Sequence, residues 1–482
     1  MIIPNQNQEV PVADLVALNT ALRKAASVGY QTGATTSGGD AGSFSPLVPQ
    51  SIESVLASAT FTMQHLSLWK NIPKRDVTQT LHEYSLVKEH GADLDPFFAE
   101  GSVPATNRSE YERRSVKIRY LAERREVTDV ATMVGMIGAN RNALAEETER
   151  GTTQLLQRTE RAIFHGDSSI NSLAFDGLFK QIEDNAPTHV TDLAGAAPTV
   201  DLLQEMLGEL YGAPNYGTAD CIYVEPRIHQ ELIRQAVAHG RHDQLSIQDT
   251  TSLTWGAREL SVMSPYGPVP IKNAPFLYNK WPVPQQTVAG ITAIRASGVG
   301  DTIPTTPSQQ VALAAGAHAS SQFTAADAGT YQYFVEAVGT KGTSAIFHFG
   351  GGAGIAVAAG DQVTFTIAGA PAIEPVYYRI FRSAKDGAFA TAEMIEEVVY
   401  GGAGHTAITD NNANKPGTSK VLAIKHDPQI FEWVKLLDYM RRPLAEVETT
   451  KPFLLMLFGA PVVKVPTKTW VLKNCGVNTA GL

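Results

Sequence analysis

DVTQTLHEYSLVK at residues 76–88 and SVKIRYLAERREV at 115–127 flank the stretch EHGADLDPFFAEGSVPATNRSEYERR. The two flanks read as long strands. In the second, Val116, Ile118 and Tyr120 alternate with Lys117 and Arg119, the period-two pattern of a half-buried strand. Gly and Pro run through the middle stretch and predict an irregular tip. Two strands with a long tip and little apolar content have no core of their own, and a two-stranded ribbon is marginal in water. The reading is an arm that needs a neighbour.

Working outward, RNALAEETERGTTQLLQRTERAIFH at 141–165 predicts the strongest helix. Leu144, Thr148, Thr152, Leu155, Thr159, Ala162 and Ile163 share one stripe. That stripe is weakly apolar, so light packing is expected, and Gly151 inside it costs about 1 kcal/mol. Residues 199–285 alternate helix and strand. TVDLLQEMLGELYG turns Leu203, Met206, Leu207 and Leu210 inward, CIYVEP is a short buried strand, and RIHQELIRQAVAHG is a helix starting at Pro226 and closed by Gly240. Before the arm, residues 1–50 carry one short amphipathic helix around Leu15, Leu18 and Leu22, then the extended stretch TGATTSGGDAGSFSP. Residues 286–420 are low in charge, and GTYQYFVEAVG, GDQVTFTIAG and PVYYRIFRSAKDG predict an all-β sandwich set into a surface loop. Residues 421–482 return to mixed structure with FEWVKLL, FLLMLF and PTKTWVLKN.

Length and composition bound the function. The 482 residues are 43% hydrophobic and 18% charged, with a net charge of −9. That excludes an intrinsically disordered chain and argues against a phosphate-gripping one. Cys221 and Cys475 are too few for a disulfide scaffold or a four-thiolate zinc site and read as small buried thiols. No apolar run is long enough to span a membrane, and no secretory signal is visible. GGGAGIAVAAGD at 350–361 lacks the Lys and Ser/Thr of a phosphate loop and reads as a turn. His239 and His242 flank a helix-breaking Gly240, with His229 upstream, and read as exposed histidines rather than metal ligands. Asp93, Asp95 and Glu100 mark a charged loop tip. Arg108, Arg113, Arg114, Arg119, Arg124 and Arg125 interleave with Glu110, Glu112, Glu123 and Glu126, which reads as a solvated or inter-subunit salt-bridged face. No GxSxG elbow or HExxH is present. The expectation is no catalytic, cofactor-binding or metal site, and no enzyme.

The order of these elements resembles the major capsid proteins of tailed bacteriophages, with their HK97-type fold. Four passages carry the resemblance: SFSPLVPQSIESVLASATFTMQHLSLWKNIP, the arm from VTQTLHEYS to ERREVTDV, ERAIFHGDSSINSLAFDGLFKQI, and PTVDLLQEMLGELYGAPNYGTADCIYVEPRIHQELIRQA. The resemblance implies an α+β, HK97-like fold. Its N-terminal arm would be 1–75, its E-loop 76–128, and its P-domain with spine helix 129–175. The A-domain would begin at 176–285, and 421–482 would return to the core. The 286–420 insert resembles an immunoglobulin or fibronectin III-like module, with Tyr331 and Tyr333 as its tyrosine pair, in standard or permuted order. The resemblance further implies a shell of hexamers and pentamers enclosing double-stranded DNA without sequence-specific contacts. Its partners would be a portal, separate scaffolding or cement proteins, and a host-surface ligand for the insert. Its place is the virion, after assembly in the bacterial cytoplasm. No inter-subunit cross-link is expected. An encapsulin-like nanocompartment and a β-module adhesin are the rival readings.

Overall fold

The fold is seen in a computed structural model, which describes residues 62–133, 142–238, 260–278 and 303–477 apart from a few loop positions, with a small strand pair at Thr287–Val288 and Ile291–Thr292. The helix expected around Leu15–Leu22, the stretch 31–45, and Gly240 with His239 and His242 lie outside these residues.

Among the described residues, a 3-10 turn at Met63–His65 and a helical turn at Leu68–Asn71 come first, followed by strands β1 (Lys74–Asp76), β2 (Leu81–Glu89), β3 (Glu110–Lys117) and β4 (Arg119–Thr128). Helix α1 (Ala143–His165) and helix α2 (Leu178–Asn185) come next. They precede β5 (Val190–Asp192), α3 (Val200–Tyr211), β6 (Cys221–Val224), α4 (Pro226–Ala238), β7 (Ser261–Ser264) and β8 (Gly267–Asn273). A β-rich region holds β9 (Gln309–Ala317), β10 (Tyr333–Gly339), β11 (Asp361–Ile367), β12 (Tyr377–Arg382), β13 (Glu393–Val399) and β14 (Thr406–Asp410). The chain ends in β15 (Ser419–Ile424), β16 (Phe431–Pro443), β17 (Thr450–Val463) and β18 (Trp470–Cys475).

A six-stranded sheet in the order β5-β18-β15-β6-β8-β7 forms the α/β region. Every residue of β6 is buried, because helices cover both faces. Cys221 and Tyr223 point toward Ile163, Phe164, Phe179 and Ile182 of α1 and α2. Ile222 and Val224 point the other way, into the core shared with Leu203, Met206, Leu207 and Leu210 of α3. These four α3 residues are the ones its 3.6-residue period predicts. Cys221 and Cys475 are buried free thiols, as expected of small core residues.

A four-stranded sheet, β1-β16-β17-β4, forms the second layer. One face carries Phe431, Trp433, Phe453, Leu455 and Leu457 against Leu155 and Leu156 of α1. Trp433 sits edge-on to Trp69 at 5.3 Å and to Phe175 at 5.6 Å. Gly459 lies opposite, where a Cβ would fall 2.4 Å from the Trp433 ring. Gly151 has a similar role in α1. A Cβ there would meet Leu455 at 2.5 Å and Arg125 at 2.9 Å, so its propensity cost permits close helix–sheet approach. The C-terminal half of α1 buries Leu155, Leu156, Thr159, Ile163 and Phe164, a deeper contact than the weak stripe predicts.

The single long strand expected over 115–127 is two strands. β3 ends at Lys117, β4 starts at Arg119, and buried Ile118 is the corner between them. β3 pairs with β2 to make the arm, whereas β4 pairs antiparallel with β17. The alternation runs unbroken through Ile118, so the local pattern carried no sign of the change of partner.

The 303–417 region holds two main sheets, β9-β11-β14 and one built on β10-β12-β13, beside a two-stranded pair of Gly329–Tyr331 with Ile355–Val357. Val363, Phe365, Ile367 and Ile408 of the first share a core with Tyr333, Val335, Tyr378, Ile380 and Ile395 of the second. The six strands visit the two sheets in the order first, second, first, second, second, first. The region is clasped to the α/β region by Asn474, whose Nδ2 donates to Ala413 O (2.8 Å) and to Asp192 Oδ1 (2.9 Å). Glu393 adds a second clasp, accepting from the Tyr278 hydroxyl and from Gly417 N (2.6 Å).

Candidate functional site

The arm is where the molecule leaves most unsatisfied. Its tip is closed at the neck by Asn107, which accepts from Ala92 N (2.9 Å) and donates to Ala92 O (2.8 Å). Gly91 sits beside it at φ +139°, where a Cβ would overlap the Asn107 side chain. Asp95 turns the tip by accepting from Phe97 N at 3.0 Å. The tip shows Phe97 (87% exposed), Phe98 (62%) and Val103 (91%) to solvent, and Tyr111 on β3 is exposed as well. Large apolar side chains grouped on a loop with no core beneath them mark an interaction site. Asp93 and Glu100, singled out with Asp95 as carboxylates, stand exposed on this tip.

The interleaved charges of this region pair largely within the chain. Arg114 meets Glu112 at 2.7 Å, Arg124 meets Glu126 at 3.3 Å, and Arg113 meets Glu83 at 3.6 Å. Arg125 bridges Glu123 on its own strand and Glu147 on α1. Most of these pairs are exposed and each contributes little to stability. They satisfy the arm's polar faces and leave its apolar tip as the distinctive surface.

The arm is seated lightly. Tyr84 and Val116 cover Val434, Val462 and Ile118 on the outer face of the four-stranded sheet. Of the other half-buried arm positions Leu86 is apolar and the rest are polar, among them Arg114, which donates to Asn185 Oδ1 of α2 at 3.1 Å. A cavity of about 430 Å³ lies beside this seat, bordered by Tyr84, Arg114, Lys117, Asp176 and Asn185.

The helical turn at Leu68–Asn71 is seated tightly. Glu160 of α1 is buried, and its carboxylate accepts from Ser67 N (3.1 Å), Leu68 N (3.2 Å) and Trp69 N (3.1 Å). These are the free donors that open the helical turn at Leu68–Asn71, so a side chain distant in sequence supplies the cap. Burial pushes the Glu160 pKa up, against the pull of the three N–H groups. Glu160→Ala is expected to cost about 3 kcal/mol, because it strands three donors in a dry site. Glu160→Gln costs less, since its amide oxygen still accepts. Chemical denaturation measures the cost, and hydrogen exchange of residues 66–72 shows whether the loss lies there. Nothing local in TERAIFH marks Glu160 as this cap.

A second tie reaches the same turn. Asp220 accepts from the His426 ring at Nδ1 (2.9 Å), His426 Nε2 meets the Tyr223 hydroxyl at 2.9 Å, and Asn71 Nδ2 donates to that hydroxyl at 3.3 Å. Burial raises the Asp220 pKa, but the bonds from His426 outweigh it and hold the carboxyl below its usual range. Cys221 completes a cluster of metal-ligand types with Asp220 and His426. Its Sγ lies 3.7 Å from Nδ1 and 4.0 Å from Nε2, and both ring nitrogens are already engaged, Nδ1 by Asp220 and Nε2 by the Tyr223 hydroxyl. Burial also pushes its thiol pKa up, away from the thiolate a metal needs. With both ring nitrogens taken and the thiol held protonated, the group acts as a structural relay. His229, the upstream candidate, contacts Asn273 at 2.6 Å. The glycine run forms a turn, with Gly350, Gly351 and Gly352 all at positive φ and a strand at Ile355–Val357 following it.

Comparison with known proteins adds a second line of observation. No family model matches the chain. It is 21% identical over 431 residues to the major capsid protein of Staphylococcus phage S25-3, covering 88% of this chain and 89% of that protein. The major capsid protein of Staphylococcus phage K aligns with the same identity and coverage. The chain's curated relatives are phage major capsid proteins. Among solved structures, the capsid of a native GTA particle covers 92% of this chain and 99% of its own, at 9% identity and TM-score 0.46. Gordonia phage Cozz gives 11% identity and TM-score 0.45, covering 92% and 97% of the two chains. The SrpI encapsulin complex of Synechococcus elongatus gives 10% and 0.43, covering 90% and 95%.

Proposed function

We propose that this chain is the structural major capsid protein of a tailed phage, with assembly rather than catalysis as its work. The observation that carries the reading is the ordered arm tip with Phe97, Phe98 and Val103 in solvent, on a chain similar over most of its length to phage capsid proteins. Copies form hexamers and pentamers of an icosahedral head around double-stranded DNA. In this reading the 176–285 region surrounds the local symmetry axes, the arm of β2 and β3 reaches the adjacent subunit with its tip, and the N-terminal arm laces neighbours together, while β1 and β4 stay in the body sheet. The 286–420 segment stands outward as an inserted immunoglobulin-type module, a reading supported by its two facing sheets with one shared core. A portal joins the shell at one vertex, with separate scaffolding or cement proteins. Assembly takes place in the bacterial cytoplasm.

The test is negative-stain electron microscopy of the purified chain, alone and co-expressed with the neighbouring genes of its own genome. Closed shells, tubes, or rings of five and six support the reading. A monodisperse monomer under both conditions overturns it. Shells filled with a protein cargo instead of DNA when made in the native host would favour a nanocompartment.

A further inference from the structure

The seat of the arm contains a group that assembly by itself does not require. His82, the second residue of β2, points inward with its side chain 13% exposed, and its Nε2 has no hydrogen-bond partner among the described residues. Across the seat lies Glu432 of β16, 2% exposed, with a carboxylate oxygen 3.9 Å from that nitrogen. This carboxylate is already matched. Lys464, which follows β17, reaches it at 2.8 Å, and Arg75 of β1 stands 3.6 Å away. Tyr84 stacks beside the imidazole at 6.2 Å, and Val116 of β3 is its cross-strand partner.

The charge count decides what this geometry does. Two cations already share one buried carboxylate, so a proton on His82 adds a third positive charge to a nearly dry site. Burying an unmatched charge is costly. Lifting the arm returns the imidazole to water and removes that cost. We propose that His82 makes the seating of the arm proton-dependent: the arm rests on its sheet with His82 neutral, and acid loosens it.

The titration runs the same way. Burial, then Arg75 and Lys464, depress the His82 pKa in the seated arm, and Glu432 opposes them only in part. A group whose seated pKa is depressed contributes stability above its free value and loses it as the pH falls through the seated value. Seating is therefore full above the ordinary histidine range and weakens below it. The inference rests on the arm lying on its own sheet, not on the shell, so each reading can fail without the other.

Hydrogen exchange of the full chain at about pH 5 and about pH 8, corrected for intrinsic rates, brackets the histidine range. The expected result is several-fold faster exchange of 81–89 and 110–117 at the acid pH, with 221–224 and 419–424 unchanged. In His82→Gln, which cannot take the proton, the arm exchanges equally at both. Equal protection of the wild-type arm at both pH values overturns the proposal, as does the same acid loosening in His82→Gln. If that variant misfolds, exchange of the imidazole C2 proton in the wild-type chain decides the matter. A His82 midpoint below that of a free histidine peptide supports the proposal, and one at or above it overturns it.

Discussion

Replacing Phe97 and Phe98 together by serine yields a chain that folds normally and no longer closes into shells. The tip rings are 87% and 62% exposed, so the fold of the isolated chain gains little from them. Each ring buried on a neighbour contributes about 1.5–3 kcal/mol. Losing both weakens every arm contact by about 3–6 kcal/mol, a factor of roughly a hundred to ten thousand in association. Every subunit carries the lesion, so a shell that needs all its contacts should fail to form. Circular dichroism should match the wild type, while sedimentation velocity and microscopy should show small species only. Shells at wild-type yield would sink the assignment of the tip. Global unfolding would place these rings in a core where the structure does not put them.

Arg382→Ala should unfold the β-rich 303–417 region and spare the rest. Arg382 is almost fully buried, and its guanidinium donates to Asp410 Oδ2 at 2.6 Å and to Asn412 Oδ1 at 2.7 Å. Tyr333 donates to the same Asp410 oxygen at 2.8 Å, and the guanidinium lies over the rings of Phe323 and Tyr331. Truncation leaves the buried Asp410 carboxylate without its cation, which costs about 3–5 kcal/mol. Removing both charges, as in Arg382→Met with Asp410→Asn, should cost much less. The core of this region is separate from those of the two body sheets, so the damage should stay local. Calorimetry should show a new low-temperature transition, and proteolysis should cut within 303–417 while shells still form. One shared transition, lowered as a whole, would mean that the clasps at Asn474 and Glu393 make the two regions a single folding unit.

Both expectations depend on contacts with very different visibility in the sequence. The inward residues of α3, the four buried residues of β6 and the course of α1 follow from local periodicity. A helix with apolar residues every three or four positions buries that stripe in any compact fold, and a short uncharged strand between helices buries both faces. The exposed arm tip was legible for a complementary reason: nothing in EHGADLDPFFAEGSVPATN can form a core.

Partners were not legible. The alternation through Ile118 is the same on both sides, yet β3 pairs with β2 and β4 with β17, far along the chain. Period-two patterning names a strand's buried face and is silent about its neighbour. Glu160 reads as one charge among several in α1, and only the approach of residues 67–69 makes it a cap. His82 reads as an ordinary strand histidine until Glu432, Lys464 and Arg75 surround it from three other segments. The sequence by itself determined which apolar residues of α3 and β6 are buried and which segments lack a core, because those depend on spacing along the chain. Tertiary structure alone decided which charges share a site and which strands share a sheet, because those depend on distances between segments that local pattern does not encode.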